Sequence, residues 1–232
     1  IRIMNPISEE LSLMRTTLAS SMINAIARNQ KRGNLEGRLF EVANVYIPYE
    51  LPLTQYPDEK PRLCVGIFGK GESFYTMKGI AEKIADTLQL EFTYENMSNT
   101  FLHPYQTACI KCNGEEIGYF GKLAYDIADE LDMRTPAFIL EMDLKIVSQW
   151  YGKKPVFTPL PKFPEEQRDL ALVMSKEITC GEIEAVMKES CKYITKITLF
   201  DIYEGEQIAA DKKSMAFTVV FTPKDEAFTA DS

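Results

Sequence analysis

Histidine is nearly missing from this chain: His103 is the only one among 232 residues. A metal site of two or three histidines is thereby excluded, and a histidine-based triad would have to centre on this one residue. His103 precedes Pro104 in a segment expected to be a loop, with no Gly-x-Ser-x-Gly run or reactive-cysteine context beside it. A loop-packing role follows. Long apolar runs are missing too, and none approaches the roughly 20 residues that a membrane helix needs. The opening residues, Ile1-Arg2-Ile3-Met4-Asn5-Pro6, lack the basic and apolar regions of a signal peptide, and also an initiator methionine. Basic charge is in deficit, with 26 Lys and Arg against 34 Asp and Glu, a net charge of −8. That balance argues against gripping nucleic acid broadly through phosphates, but leaves room for a small RNA footprint read by stacking and edge contacts.

Cysteine is sparse and odd in number, five in all at unrelated spacings, which points to reduced thiols and a cytoplasmic protein. Cys109-x-x-Cys112 is the one pair with metal-like spacing. No second pair of ligands follows it, and Thr107 to Cys112 reads as a strand entering an Asn113-Gly114 turn. Residues three apart on a strand point to opposite faces, so the two sulfurs should diverge and no metal is expected. Gly66, Gly69 and Gly71 follow a strand without a Lys-Ser/Thr pair, so they read as a turn rather than a phosphate loop. The acid pairs Glu141 with Asp143, and Glu165 with Glu166, are expected to be solvated surface groups.

What is present is a regular alternation of helices and strands. Leu18, Met22, Ala25, Ile26 and Asn29 recur at helical spacing; Arg28, Lys31 and Arg32 close the last turn and Gly33 stops it. Arg38 to Ile47 alternates as a strand, and Pro48, Pro52, Pro57 and Pro61 should interrupt regular structure until a strand at Arg62 to Gly69. Met77, Ile80, Ala81, Ile84, Ala85 and Leu88 mark the clearest helix. A strand near Glu91 to Glu95, a hairpin from Thr107 to Lys122, a helix from about Ala124 to Leu131, a strand at Ala137 to Met142 and a helix near Leu144 to Tyr151 complete a first α+β domain, residues 1–152. Four prolines between Lys153 and Pro164 mark the boundary, with a linker at 153–161.

From 162 to 232 the pattern is β-α-β-β. Asp169 to Met174 reads as a strand, and Thr179-Cys180-Gly181-Glu182 as a capping box for a helix whose inner face is Ile183, Val186, Met187 and Ser190. Thr195 to Tyr203 and Ser214 to Thr222 form a hairpin around Gly205. This run is the first two-thirds of a split β-α-β unit, which needs one more helix and strand, so the sequence is expected to be a piece of a longer protein. The edge beside Asp169 to Met174 should then lie open, and an apolar stripe from Met215, Phe217, Val219 and Phe221, or from the opposite face, should lose its cover.

These segments resemble, in serial order over nearly the whole chain, the late part of the bacterial phenylalanyl-tRNA synthetase beta subunit. The resemblance is carried by Asn5-Pro6-Ile7-Ser8, Met14-Arg15-Thr16-Thr17-Leu18, Arg38-Leu39-Phe40-Glu41-Val42, Phe74 through Lys78-Gly79, Leu102-His103-Pro104, and Ile117-Gly118 with Gly121-Lys122-Leu123. In the second block it rests on Phe163-Pro164, Arg168-Asp169-Leu170-Ala171, Phe200-Asp201-Ile202-Tyr203 and Lys212-Lys213-Ser214. Tyr105 departs from the family pattern, which tends to Gly there, and Ala124-Tyr125 from a frequent His-Pro. The resemblance implies a class II synthetase-like antiparallel sheet domain without catalysis, followed by a truncated ferredoxin-like anticodon-binding domain. It implies an alpha subunit in an alpha2beta2 assembly and the tRNA(Phe) anticodon region as partners, and no membrane. ATP and Mg²⁺ are implied for the holoenzyme, and none is expected on this chain. No arginine-bearing third class II motif is present; Arg15 and Arg38 are the remaining candidates for catalytic arginines, with pairing to acids such as Glu41 the alternative. Arg168, Lys212 and Lys213 are the candidate tRNA contacts. The helices at Leu18 to Lys31 and Met77 to Leu88 are expected to offer one face to the core and, for at least one of them, another to a subunit, with all-core packing the alternative. Two other readings remain: a protein-interaction module without RNA contact, or a small-molecule enzyme with its site on the first sheet.

Overall fold

The structure, a computed structural model, describes residues 1–9, 12–151, 157 and 160–223. It divides into two compact units, Ile1–Pro155 and Val156–Ser232. Most of the linker expected at 153–161 lies outside the described residues.

Unit 1 begins with a segment that folds back on itself, Arg2 bridging Leu13, and then enters α1 (Ala19–Lys31). Arg28 and Lys31 lie in its last turn, and Gly33 takes φ +91°, the left-handed stop that the sequence called for. β1 (Gly37–Ile47) and β2 (Asp58–Phe68) pair antiparallel along their full length. β2 starts earlier than the prolines suggested and contains Pro61. It tolerates that residue because β6 pairs with β2 only from Arg62 onward, so Pro61 has a single strand neighbour. α2 (Phe74–Leu88) is capped by Ser73, whose hydroxyl accepts from the Thr76 amide while the Thr76 side chain accepts from Ser73.

β3 (Phe92–Asn96), β4 (Leu102–Cys112) and β5 (Glu115–Leu123) follow. Asn113 and Gly114 both have positive φ, 50° and 81°, the geometry that a two-residue hairpin turn needs. β4 starts earlier than expected and takes in His103, which sits where the β4–β5 register shifts between Leu102 and Thr107. α3 (Tyr125–Glu130), β6 (Ala137–Asp143) and α4 (Leu144–Trp150) complete the unit. The sheet order is β1-β2-β6-β5-β4-β3, antiparallel wherever strands pair.

Both faces of this sheet are covered. Val65, Ile67, Ile110, Phe120, Phe138, Leu140 and Met142 pack with Met77 and Ala81 of α2 and Val147 of α4. Cys64, Phe68 and Ile139 pack on the other face with Leu18, Met22 and Ile26 at α1. Gly66 is what lets α1 settle so close: a Cβ there would come within 2.7 Å of the Met22 Cγ. Burying the stripe Leu18, Met22 and Ile26 contributes roughly 2 kcal/mol per side chain.

Unit 2 contains β7 (Glu166–Ser175), α5 (Cys180–Ser190), β8 (Ile194–Tyr203) and β9 (Lys212–Phe221), with sheet order β7-β9-β8. The capping box reads as the sequence indicated: the Glu182 amide donates to Thr179 Oγ1, and the Thr179 amide to Glu182 Oε2 at 2.7 Å. Two residues on α5 depart from expectation: Val186 and Ser190 are exposed, and the face turned to the sheet is Met187, buried, with Cys180 and Ile183 partly buried beside it. Met215, Phe217 and Val219 keep their cover under α5; the exposed apolar residues of β7 are Leu170 and Val173 instead. Among the described residues β7 pairs only with β9, leaving its other edge without a strand.

Candidate functional site

One row of side chains crosses five strands on the α1 face of unit 1. Glu41 stands opposite Cys64, Cys64 opposite Glu141, Glu141 opposite Tyr119, and Tyr119 opposite Cys109. Directly opposed residues share a face, so sheet register alone assembles this row. At its centre Glu141 is buried, contrary to the expectation of a solvated acid pair. Its Oε2 accepts from Thr17 Oγ1 at 2.5 Å, from the Ala19 amide at 3.1 Å and from Tyr119 OH at 3.2 Å. Ala19 opens α1, so the carboxylate also meets the positive end of a helix dipole. Asp143 is buried as well; its Oδ1 caps α4 by accepting from the Lys145 and Ile146 amides, and its Oδ2 lies 3.2 Å from Arg62.

The row is built against anions. Burial first, and then the charges of Glu141 and Glu41, push the Cys64 thiol well above its usual range. Burial and Glu141 do the same to the Tyr119 phenol. Arg15, which could offset a phosphate, is held by Glu41 at 2.7 Å and also donates to the Asn44 carbonyl at 3.2 Å. Arg38 makes a two-pronged contact with Glu72 at 2.8 and 3.2 Å, and that hydrogen bond and charge raise its pKa. α1 thus lies on this face, and both arginines are engaged by acids. An open cleft of about 670 Å³ lies elsewhere, at the C-terminal end of α1 and the start of β1, lined by Asn34, Glu36, Arg38 and Lys70 among others. It brings together no nucleophile and base.

His103 packs as expected for a structural residue. Its Nδ1 accepts from the Tyr105 amide at 3.2 Å and its ring meets Tyr125 edge-on at 5.3 Å. Cys109 and Cys112 do diverge, Cys109 into the row on the α1 face and Cys112 into the layer under α2. No group of three or more His, Cys, Asp or Glu able to hold a metal occurs among the described residues. No described helix is long and apolar enough to cross a membrane.

In unit 2 the three candidate RNA contacts do not converge. Arg168 stands opposite Val219, and Lys213 opposite Met174, which places both on the α5 face. Six residues of strand separate those two pairs, about 20 Å. Arg168 is bound to Glu166 at 2.6 Å, and the Glu182 carboxyl, held low first by hydrogen bonds from Thr179, also feels the charge of Lys213. Lys212 faces the other way, onto the side that no described helix covers. That side carries Tyr203, 41% exposed, with Lys196, Thr198, Asp201, Ser214 and Thr218. Tyr203 stands opposite Ser214, one alternation along β9 from Lys212, roughly 7 Å away. Sequence reasoning chose basic residues and missed Tyr203. Alternation on β8 would have offered it as a sheet-face aromatic, but not which face is bare.

Residues 1–144 match the family described as phenylalanyl tRNA synthetase beta chain CLM domain, and residues 161–232 match the ferredoxin-fold anticodon binding domain. The phenylalanine–tRNA ligase beta subunit of Clostridium tetani is 34% identical over 99% of this chain and 29% of its own length. That of Bacillus subtilis is 32% identical over 97% of this chain and 30% of its own length. The chain thus spans less than a third of the curated relatives that it matches. A solved pyrrolysyl-tRNA synthetase of Desulfitobacterium hafniense aligns over 59% of this chain and 49% of its own, at 15% identity and a TM-score of 0.46.

Proposed function

Since the chain belongs to the phenylalanyl-tRNA synthetase beta-chain family, we propose that it is a non-catalytic part of phenylalanine–tRNA ligase. Unit 1 scaffolds the catalytic alpha subunit within an alpha2beta2 assembly in the cytoplasm, and unit 2 contributes to holding the anticodon region of tRNA(Phe). The carrying observation for the first half is the row centred on Glu141. Adenylate formation needs charge stabilisation at the α-phosphorus, and here carboxylates line a face already filled by α1. For the second half it is the helix-free face of β7-β9-β8. Single-stranded RNA is read by stacking on sheet aromatics with cations nearby, and Tyr203 with Lys212 supplies both. This small footprint suits a chain of net charge −8.

The test is titration of the chain with the tRNA(Phe) anticodon stem-loop at two salt concentrations, alongside stem-loops of other anticodons. Tyr203→Ala is expected to weaken the cognate interaction by about tenfold, through loss of one stacked base. Lys212→Ala should weaken all stem-loops alike and flatten the salt dependence. Arg168→Ala should do less than either. Equal binding of all stem-loops by the wild-type chain would remove the anticodon reading. ATP–pyrophosphate exchange by the isolated chain, lost in Arg15→Ala or Arg38→Ala, would remove the non-catalytic one.

A further inference from the structure

Tyr203 does not stand where the alternation of its own strand would put it. Leu199 pairs with Phe217 and packs under α5, so strict alternation would carry residues 201 and 203 to that same side. Between Leu199 and Asp201 the register shifts: β9 moves by one residue, from Phe217 to Ala216, while β8 moves by two. This is a β-bulge, whose extra residue changes the face of every side chain beyond it. Ile202 then stands opposite Met215, and Tyr203 opposite Ser214, on the side that no described helix covers. Phe200 and Asp201, the two residues of the bulge, are both exposed.

Gly205, two residues further on, makes room for the Tyr203 ring. A Cβ on Gly205 would overlap the Tyr203 hydroxyl and Cζ and come within 3.0 Å of its Cε2. This glycine does not have positive φ, so the ring and not the backbone conformation demands it. The backbone around it is pinned as well. The Ile208 amide donates to the Gly205 carbonyl at 3.0 Å, and the carboxylate of the adjacent Glu204 lies 2.8 Å from Lys176. A side chain at 205 would therefore be accommodated by displacing the ring. The ring rests against the Gly205 backbone while Tyr203 stays 41% exposed. We propose that Gly205 and the Phe200–Asp201 bulge are the positioning elements of the RNA site. The bulge chooses the face on which Tyr203 stands, and Gly205 seats its ring as a preformed platform for one base of single-stranded RNA. A ring seated beforehand loses less freedom when a base stacks on it. The inference rests on the anticodon reading and names what aims its aromatic residue.

The test is titration with the tRNA(Phe) anticodon stem-loop, with Tyr203→Ala as the reference. Gly205→Ala is expected to weaken cognate binding about tenfold, by displacing the stacking ring. The melting temperature and the slope of affinity against salt should both stay as in the wild-type chain, since phosphate contacts are untouched. In a Tyr203→Ala background the same substitution should change affinity less than about twofold, because no ring is left to displace. Equal losses in both backgrounds would mean that Gly205 acts by another route and would overturn the inference. In the free wild-type chain, NMR cross-peaks are expected between the Tyr203 ring and the Gly205 α-protons. Their absence would overturn it too, and this readout decides the matter if Gly205→Ala fails to fold. Full binding by a folded Gly205→Ala, with Tyr203→Ala impaired, would remove the positioning role and leave the anticodon reading intact. Cognate binding unaffected by Tyr203→Ala would bring down that reading and this inference together.

Discussion

The two sheets differ in how much of their surface helices cover, and that difference separates their chemistry. In unit 1, α1 and α2 with α4 take opposite faces, so a carboxylate such as Glu141 is buried and must find its donors inside the protein. In unit 2, α5 takes one face, and no described helix covers the other. A covered sheet face is a core and a bare one is a platform; the same antiparallel ladder serves both.

The hardest strike on the comparison is Phe217→Ala. Phe217 is fully buried at the centre of the single covered face, and its truncation should cost about 3–5 kcal/mol. Hydrogen exchange should then show unit 2 opening while α1 and β6 keep their protection. Simultaneous loss in both units would mean that they fold as one body, and the contrast between them would fail.

Glu141→Ala comes next. It leaves Thr17 Oγ1 and Tyr119 OH without their acceptor and the Ala19 amide with Thr17 Oγ1 alone, at a cost of roughly 3 kcal/mol in chemical denaturation. ATP binding should stay undetectable in this variant, because α1 still fills the face. Measurable binding would show that charge alone, not packing, closes the site.

Thiol chemistry should sort the units without any mutation. Burial, followed by the influence of Glu116, pushes the Cys109 thiol up to about 11, and Cys64 and Cys112 are buried as well. Cys180 and Cys191 are only half-buried. Alkylation at pH 8 in native buffer should label Cys180 and Cys191 at least about tenfold faster than the three thiols of unit 1. Comparable rates, read by mass spectrometry, would mean that unit 1 opens as readily as unit 2.

The smallest effect concerns α5. Hydrogen bonds from the Thr179 amide and hydroxyl hold the Glu182 carboxyl below its usual range. A depressed carboxylate contributes stability that is present above its unfolded value of about 4.3 and is lost as pH falls through the lower folded value. Exchange in the first turn of α5 should therefore quicken, after correction for intrinsic rates, as pH is lowered across that window. Glu182→Gln should remove the dependence, and an unchanged pH response in that variant would place its origin elsewhere.

Much of the fold was legible because it is local. Gly33 at the end of α1, the Asn113-Gly114 turn and the Thr179–Glu182 box each specify a conformation through their own backbone and near neighbours. Helical spacing likewise revealed α2, and alternation revealed β1. The pairing of Arg15 with Glu41 followed from charge, although Arg38 took Glu72 as its partner.

The remainder depended on contacts between residues distant in sequence. Pro61 is acceptable in β2 because β6 stops short of it. Glu141 is buried because α1 lies over its row, and its Thr17 partner stands 124 residues away in sequence. Strand alternation assigned Arg168, Lys212 and Lys213 to faces only relative to their neighbours; the docking of α5 decided which face was bare. Phe40 and Val42 have the pattern of core residues and lie exposed because β1 is outermost. The sequence by itself determined turns, caps and periods, whose energies are settled within a few residues. Only the tertiary structure decided which surface each period buries, since burial is a property of what lies opposite.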